Sequence, residues 1–381
     1  VRLPNKPIIL FAGGGTGGHL FPGIALAEEL KNEFGWNAVF LSTAKQIENT
    51  IFAGTGFDVR THNAPKMTKN PFAVPSFLLK LHGAMRDSAK IIDELQPAAV
   101  VGLGGYASFS PVYAAARRRI PVFILEQNSV PGKANRLLSR WADRVFAQWA
   151  GSLRYFSRCE TVELCGNPVR PGIRVLDPAE SRVKLGLDAS LRTLLVVGGS
   201  QGARALNDAL RNNIDILSKR KNEFQVLHLS GEKDAPALAE AYECSGIRGS
   251  VKPFLKEMEL AYSAADLVLA RAGGTTIAEI SALGKPSVLV PFPFATDNHQ
   301  YANAKEYADA GAAKVLEEKD ISAESLQSKV MNLLFNAAEL ERMSLASEAA
   351  GRPQARTVIV CKIVEHITGK AVGPVINERS A

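Results

Sequence analysis

Cysteine is scarce in this 381-residue chain: Cys159, Cys165, Cys244 and Cys361 are the whole complement, and none forms a CxxC pair. That spacing excludes a disulfide scaffold and a thiolate zinc site, and implies free thiols in a reducing cytosol. No apolar run approaches the roughly 18 residues needed to cross a bilayer. The first residues lead into a strand and a glycine loop with no charged-then-apolar leader, so no signal peptide is expected. Any membrane contact would therefore be peripheral. Acidic residues are sparse in one region. Between positions 60 and 119 nine basic residues, among them Arg60, Lys66, Lys69, Lys80 and Arg117 to Arg119, face only Asp87, Asp93 and Glu94. With a net charge of +7, this points to an anionic partner: a nucleotide, a phospholipid surface or a nucleic acid.

What is present is an ordinary globular composition, 46% hydrophobic and 22% charged, in a chain long enough for two cores. Apolar runs alternate with amphipathic stretches. Ile8–Phe11, Ala38–Leu41, Ala98–Leu103 and Val122–Leu125 read as strands of a parallel sheet, with a helix from about Pro22. Cys165–Pro178, with three prolines and two glycines, reads as a linker. The scheme then restarts with strands at Leu194–Val197, Gln225–Leu229, Leu267–Ala270 and Ser287–Pro291, and a helix over Arg204–Leu217. The fold class expected is α/β, with two doubly wound units that carry their ligand loops at the carboxyl ends of the strands. The domains expected are 1–168, completed by a helix over 352–368, and 169–351. A frayed tail would follow from about Gly369.

The strand-end loops hold the chemistry. Gly13-Gly14-Gly15-Thr16-Gly17-Gly18-His19 contains GxGxxG, a weak dinucleotide signal by itself. A dehydrogenase also needs a carboxylate after the second strand, and Leu41-Ser42-Thr43 offers none. The glycines instead let the backbone approach a diphosphate at a helix N-terminus. His19, where loop meets helix, is either a turn residue or a general base near neutral pH. Gly198-Gly199-Ser200-Gln201-Gly202-Ala203 matches neither GxGxxG nor a P-loop, yet is a small-residue anion cradle. In Arg271-Ala272-Gly273-Gly274-Thr275-Thr276-Ile277-Ala278-Glu279 the carboxylate reads as a first-turn helix residue or as an acceptor for ribose hydroxyls. Pro291–Gln300 is a polar surface loop or a sugar reader. Gly104-Gly105-Tyr106 and Glu126-Gln127-Asn128 also follow strands.

Taken together, GGGTGGHLFPGIALAEEL, GGYASFSP, LEQNSVPGKANRLL, GNPVR, GGSQGARALN, RAGGTTIAEI and DNHQYANA resemble the MurG family over about residues 8 to 345. These are the UDP-N-acetylglucosamine transferases that act on the undecaprenyl-pyrophosphoryl-muramyl-pentapeptide precursor of peptidoglycan. The resemblance implies a GT-B fold, with two Rossmann-like domains facing a cleft and a C-terminal helix returning to the first. It implies inverting transfer of GlcNAc from UDP-GlcNAc to the acceptor's C4 hydroxyl, with no cofactor, no essential metal and no nucleic-acid partner.

By motif, the resemblance assigns the donor to Arg170, Ser200, Gln201, Asn207, Leu255, Arg271, Gly274, Thr275, Thr276, Ile277, Ala278 and Glu279, with Glu279 on the ribose. His299 and Gln300 would read the sugar. Thr16, Gly17, Gly18 and Asn128 would reach the donor from the first domain. His19, Glu126 and Tyr106 are the catalytic candidates, and Gly14, Gly15, Gly105 and Asn135 belong to the acceptor side. Two positions depart from the family. Leu125 stands where some members have histidine, which shifts weight to His19 or Glu126, and His299-Gln300 replaces a glutamine pair.

A lipid-linked acceptor implies a peripheral protein at the cytoplasmic face of the inner membrane. Phe72, Phe77, Leu78 and Leu81 would insert shallowly and Lys80, with Lys69, would meet anionic lipid; the plain alternative is an ordinary buried helix. The rival functions are a diacylglycerol glycosyltransferase, a UDP-GlcNAc 2-epimerase, and a non-catalytic nucleotide- or lipid-surface-binding protein.

Overall fold

The computed structural model describes residues 6–43, 46–65, 70–198 and 203–373. The chain divides into two compact units. One comprises the residues up to Arg170 with the segment from Pro353 onward, and the other is Pro171–Arg352. The division falls inside the Pro/Gly-rich stretch.

The first unit is built on seven parallel strands: β1 (Ile8–Gly13), β2 (Asn37–Ser42), β3 (Asp58–Thr61), β4 (Ala99–Gly104), β5 (Val122–Glu126), β6 (Arg144–Ala147) and β7 (Val162–Leu164). Their order is β3-β2-β1-β4-β5-β6-β7, so the winding reverses between β1 and β4. Leu10 pairs in register with Val39 on one side and Val100 on the other. Successive residues of β1 serve opposite faces, as the two-residue period of a strand requires. Ile9 and Phe11 enter one core with the C-terminal helix residues Ile359, Val360, Ile363 and Val364. Leu10 and Ala12 enter the other, with Val112 and Ile124. Both faces being covered explains why β1 is apolar throughout.

Five helices of this unit matter to the site: α1 (Gly17–Phe34), α2 (Gln46–Phe52), α3 (Val74–Leu95), α4 (Phe109–Arg117) and α5 (Lys133–Leu138). Helix α1 begins inside the glycine loop, not at Pro22, which lies within it. Pro22 stands in the second turn, where it has no N–H to donate to the Gly18 carbonyl and its ring crowds that carbonyl, a local cost that the helix carries. Gly35 ends α1 in the left-handed region at φ 67°, its N–H donating to Leu30 and Lys31 carbonyls. The described part of the tail beyond Gly369 makes contacts with the first unit. Val372 N–H donates to Glu365 at 2.8 Å, and its side chain packs on the core. The rest of the tail lies outside the described residues.

The second unit repeats the plan with six parallel strands: β8 (Arg192–Val197), β9 (Phe224–Leu229), β10 (Arg248–Lys252), β11 (Leu267–Arg271), β12 (Ser287–Val290) and β13 (Ala313–Val315). The order β10-β9-β8-β11-β12-β13 places its reversal between β8 and β11. The single helix expected over 204–217 is two, Arg204–Asn212 and Ile214–Ser218. Asn213 separates them, and its side-chain amide donates to the Ala209 carbonyl at 2.8 Å. This is the local competition that makes asparagine a helix breaker.

Candidate functional site

In doubly wound sheets ligands bind beyond the carboxyl ends of the strands where the order reverses. In the first unit that point collects the ends of β1, β4 and β5. The turn after β1 is held from below by a residue the sequence reading passes over. Glu48 of α2 is buried and accepts from Gly15 N–H at 2.5 Å, Ser42 Oγ at 2.6 Å, Thr43 N–H at 3.0 Å and Thr43 Oγ1 at 2.8 Å. The second strand therefore does end beside a carboxylate, supplied from a helix rather than from the strand. Its oxygens are engaged with the glycine loop and the β2 end. Gly14 is buried over that carboxylate, and Gly15 has φ 96°. Thr16 is the extended N-cap of α1, and Gly17 and Gly18 begin the helix.

Thr16 Oγ1 and His19 Nδ1 share a hydrogen bond of 3.1 Å. The half-buried imidazole rests against the end of β4. A Cβ on Gly104 would stand 3.0 Å from His19 Cδ2, and one on Gly105 would stand 3.7 Å from Nδ1. Both glycines have positive φ, 102° and 76°. Absence of a side chain thus serves twice here, in backbone conformation and in close approach. Tyr106 follows, half-buried, in the single turn Tyr106–Ser108.

Glu126 ends β5, and the structure places its carboxylate inside the protein. It accepts from Asn128 N–H at 2.9 Å, Asn128 Nδ2 at 3.2 Å, Gly132 N–H at 3.3 Å and Asn135 Nδ2 at 2.9 Å. Burial raises its pKa to about 7 against these bonds, which favour the anion. Asn135 of α5 also donates to the Leu125 carbonyl at 2.9 Å. Gln127, another residue the sequence reading leaves unassigned, donates to the Leu103 carbonyl at 3.0 Å and ties β5 to β4. Its own carbonyl accepts from Trp149 Nε1 at 3.1 Å. Asn128 and Asn135 are thus both bound to the Glu126 carboxylate. Arg170, expected in the second domain, belongs to the first unit, with its guanidinium 4.8 Å from the Phe21 ring centre.

In the second unit, Ser200 and Gln201 lie outside the described residues, as does Lys69 in the first. Asn207, expected to bind the donor, has its side-chain amide engaged within the unit. It is buried, donating to the Ser230 carbonyl at 2.9 Å and Asp234 at 2.7 Å, while its Oδ1 meets His228 Nε2 at 3.0 Å. His228 Nδ1 in turn meets the Tyr242 hydroxyl at 3.0 Å. Burial lowers the His228 pKa to about 3 and raises that of Tyr242. Asn207 therefore braces the helix after the second glycine loop. Leu255 is half-buried in the loop after β10.

After β11 the chain turns into the helix Gly274–Ala282, with Gly273 as N-cap. Gly274, Ile277 and Ala278 are buried, and Thr275 and Thr276 are half-buried. Glu279 is in the second turn, not the first. It is buried and accepts from the Tyr262 hydroxyl at 3.0 Å. Asn303 braces this turn by donating to the Ala272 carbonyl at 3.2 Å. Arg271, expected to offset phosphate charge, is buried and paired with Glu318 at 2.5 Å. It also donates to the Val290 and Pro291 carbonyls at 3.3 and 3.4 Å. Its charge is thus already matched by a carboxylate. At the start of the helix His299–Asp309, which follows the loop after β12, His299 Nδ1 lies 2.8 Å from the Thr296 carbonyl and Gln300 Oε1 accepts from Phe292 N–H at 2.9 Å. Both side chains are half-buried.

Helix α3 carries the basic, apolar segment. Its only buried residues are Ala84, Ser88 and Ile92, so its first ten residues have no buried member. Phe72, just before it, is 92% exposed, Leu79 is 74% exposed, and Val74 and Leu78 are also exposed. Lys80, Arg86 and Lys90 are exposed beside them. Phe77 and Leu81, expected to insert, are half-buried. Among the described residues, this half of α3 is thus exposed to half-buried along its length. Among the described residues no helix is long and apolar enough to cross a membrane.

Two Rossmann-like units, each with its loops at the reversal point of its sheet, are the architecture of GT-B glycosyltransferases. The glycosyltransferase family 28 N-terminal domain matches residues 9–147 and the C-terminal domain of that family matches 193–358. The chain is 39% identical over 354 residues to the UDP-N-acetylglucosamine–N-acetylmuramyl-(pentapeptide) pyrophosphoryl-undecaprenol N-acetylglucosamine transferase of Syntrophus aciditrophicus, covering 92% of this chain and 96% of that one. The crystal structure of Acinetobacter baumannii MurG superposes with a TM-score of 0.75 at 29% identity, covering 95% of this chain and all of that one. A putative UDP-N-acetylglucosamine 2-epimerase from Listeria monocytogenes, at 14% identity and a TM-score of 0.68 over 96% of this chain and 98% of its own, shares the fold alone. The chain belongs to glycosyltransferase family 28 and, within it, to the MurG family.

Proposed function

We infer that this protein transfers GlcNAc from UDP-GlcNAc to undecaprenyl-pyrophosphoryl-muramyl-pentapeptide. Family membership over both units carries this conclusion. The C4 hydroxyl of the muramyl sugar attacks C1 of GlcNAc. The new C1–O bond forms on the face opposite the breaking bond to the β-phosphate, and UDP leaves with the bonding electron pair. The hydroxyl proton passes to a base.

His19 is that base. In the tautomer whose Nδ1–H donates to Thr16 Oγ1, the lone pair of the neutral imidazole resides on Nε2, and this is the tautomer the base role requires. Such a base adds roughly 10²–10⁴ in rate. Glu126 is less suited to meet a substrate hydroxyl, because its buried carboxylate is occupied by Asn128, Gly132 and Asn135. It organises the loop on which Asn128 and Asn135 stand. Donor binding belongs to the second unit: Glu279 takes the ribose hydroxyls, and the N-terminus of the helix from Gly274 favours the diphosphate. Gln300 and His299 read the sugar.

The acceptor's lipid places the protein at the cytoplasmic face of the membrane as a peripheral protein. The support is the first half of α3, which has no fully buried residue, with Phe72, Leu78 and Leu79 exposed beside Lys80.

The test is transfer of radiolabelled GlcNAc to a muramyl-pentapeptide lipid. Labelled lipid product is expected, and folded protein that makes none overturns the reading. His19→Ala should lower kcat roughly 10²- to 10⁴-fold with donor affinity unchanged. Full turnover in that variant removes His19 as the base.

A further inference from the structure

Glu48 carries none of the roles assigned above, yet it is one of the most deeply buried carboxylates of the first unit, at 1% exposure. Its four named donors are two backbone amides and two hydroxyls, from Gly15, Ser42 and Thr43. A buried anion below a loop that serves an anionic ligand is electrostatically adverse. It repels a phosphate in the same loop and occupies the Gly15 N–H that would otherwise face one. Anion affinity is therefore not what this carboxylate supplies.

What it supplies is shape. Gly14 has no room for a side chain, because a Cβ there would stand 2.6 Å from Glu48 Oε1. Gly15 then takes its left-handed conformation at φ 96° and donates to the same oxygen. Thr16 leaves the turn extended, at φ −151° and ψ 155°, and its hydroxyl meets His19 Nδ1. On its far side the imidazole is stopped by Gly104. A continuous set of contacts thus runs from the Glu48 carboxylate through Gly15 and Thr16 to His19, and an error at its start moves the ring at its end.

We propose that Glu48 is a positioning residue for the transfer reaction, holding the Gly14–Thr16 turn so that Thr16 sets the His19 imidazole at the end of β4. It governs turnover, not donor affinity. This rests on the reading of His19 as the base. A base displaced by a fraction of an ångström loses much of its advantage, since the reacting atoms must sit in near-attack geometry.

The test is steady-state kinetics of the full chain with UDP-GlcNAc and the lipid-linked acceptor, for Glu48→Gln, His19→Ala and the double variant. The amide of Glu48→Gln preserves size but turns a donor toward Gly15 or Thr43. Its kcat should fall roughly 10- to 100-fold, with KM for UDP-GlcNAc within about twofold of wild type. In the His19→Ala background the same change should alter kcat by less than about twofold, because the ring it positions is gone. Equal fold losses in both backgrounds, or a change in donor KM alone, overturn the proposal. Wild-type turnover of Glu48→Gln beside an impaired His19→Ala also overturns it and leaves the base reading standing. Full turnover of His19→Ala, in which Glu48 is intact, removes the base reading itself. Should Glu48→Gln not fold, Gly14→Ala, whose Cβ would stand 2.6 Å from Glu48 Oε1 and 3.2 Å from Ser42 Oγ, disturbs the seat of the turn on the carboxylate, and the same kcat loss and coupling to His19 are expected.

Discussion

The Tyr262 hydroxyl donates to the Glu279 carboxylate at 3.0 Å, with both side chains buried. The residue assigned to the donor's ribose is therefore held by a tyrosine on a different helix, Met258–Ala264. Removing the hydroxyl takes a donor from a buried carboxylate, which costs about 1–3 kcal/mol. Tyr262→Phe should weaken UDP-GlcNAc binding about 3- to 10-fold, and Glu279→Ala should weaken it further. Titration calorimetry with UDP-GlcNAc measures both. Unchanged donor affinity in Glu279→Ala removes that residue from the ribose role.

Glu126 and His228 make the two units respond to pH in opposite directions. Burial raises the Glu126 pKa from 4.5 to about 7. Between those values the folded state binds more protons than the unfolded one. The stabilising share of Glu126 is thus complete below about pH 4.5 and is lost as pH rises through 7, a change of about 3 kcal/mol. His228 is lowered from 6.5 to about 3. Its share is complete above pH 6.5 and is lost as pH falls below that value. Urea unfolding of the first unit's signal should show falling stability from pH 5 to 8, with a flatter slope in Glu126→Gln. A slope unchanged by that substitution refutes the assignment.

The first half of α3 predicts membrane binding that depends on both apolar and charged groups. Phe72→Asp with Leu79→Asp should weaken partition onto anionic vesicles by roughly 10²-fold or more, from lost burial of about 1.5–3 kcal/mol per side chain. Lys80→Gln should remove about 1 kcal/mol and reduce the salt dependence. Co-sedimentation with vesicles at two salt concentrations measures this. Transfer to a short-chain, water-soluble acceptor should be spared.

The sequence and the structure agree where burial is two-sided. β1, β2, β4, β5, β8, β9, β11 and β12 are all read from the sequence, and all are interior strands of the sheets. The strands that escape the sequence are short: β6, of four residues, is interior, and β3, β7, β10 and β13 are the edges, β3 reading Asp-Val-Arg-Thr and β10 Arg-Gly-Ser-Val-Lys. Edges are kept short and charged to discourage further pairing, which removes the periodicity that would reveal them. The glycine loops were legible for a local reason, since only glycine permits those turns. The residues that hold the loops in place were not. Glu48, Gln127, Tyr262, Asn303 and Glu318 act on partners far along the chain, and no local pattern marks which carboxylate or amide a fold will bring to a given loop. Asn207 and Arg271 show the converse, for each sits in a suggestive motif but is bound within its own unit.

The C-terminal helix Ala355–Thr368 contributes Ile359, Val360, Ile363 and Val364 to the core that Ile9 and Phe11 begin. On the ribosome the chain emerges in sequence order, and a domain folds once all of its pieces are out. Everything in the unit Pro171–Arg352 has left the exit tunnel before the last helix of the first unit does. The half that is made first is therefore finished last. Until then the core that β1 and α1 begin lacks its last helix, and a nonsense codon falling between Arg352 and Ala355 would leave a complete second unit tethered to an incomplete first.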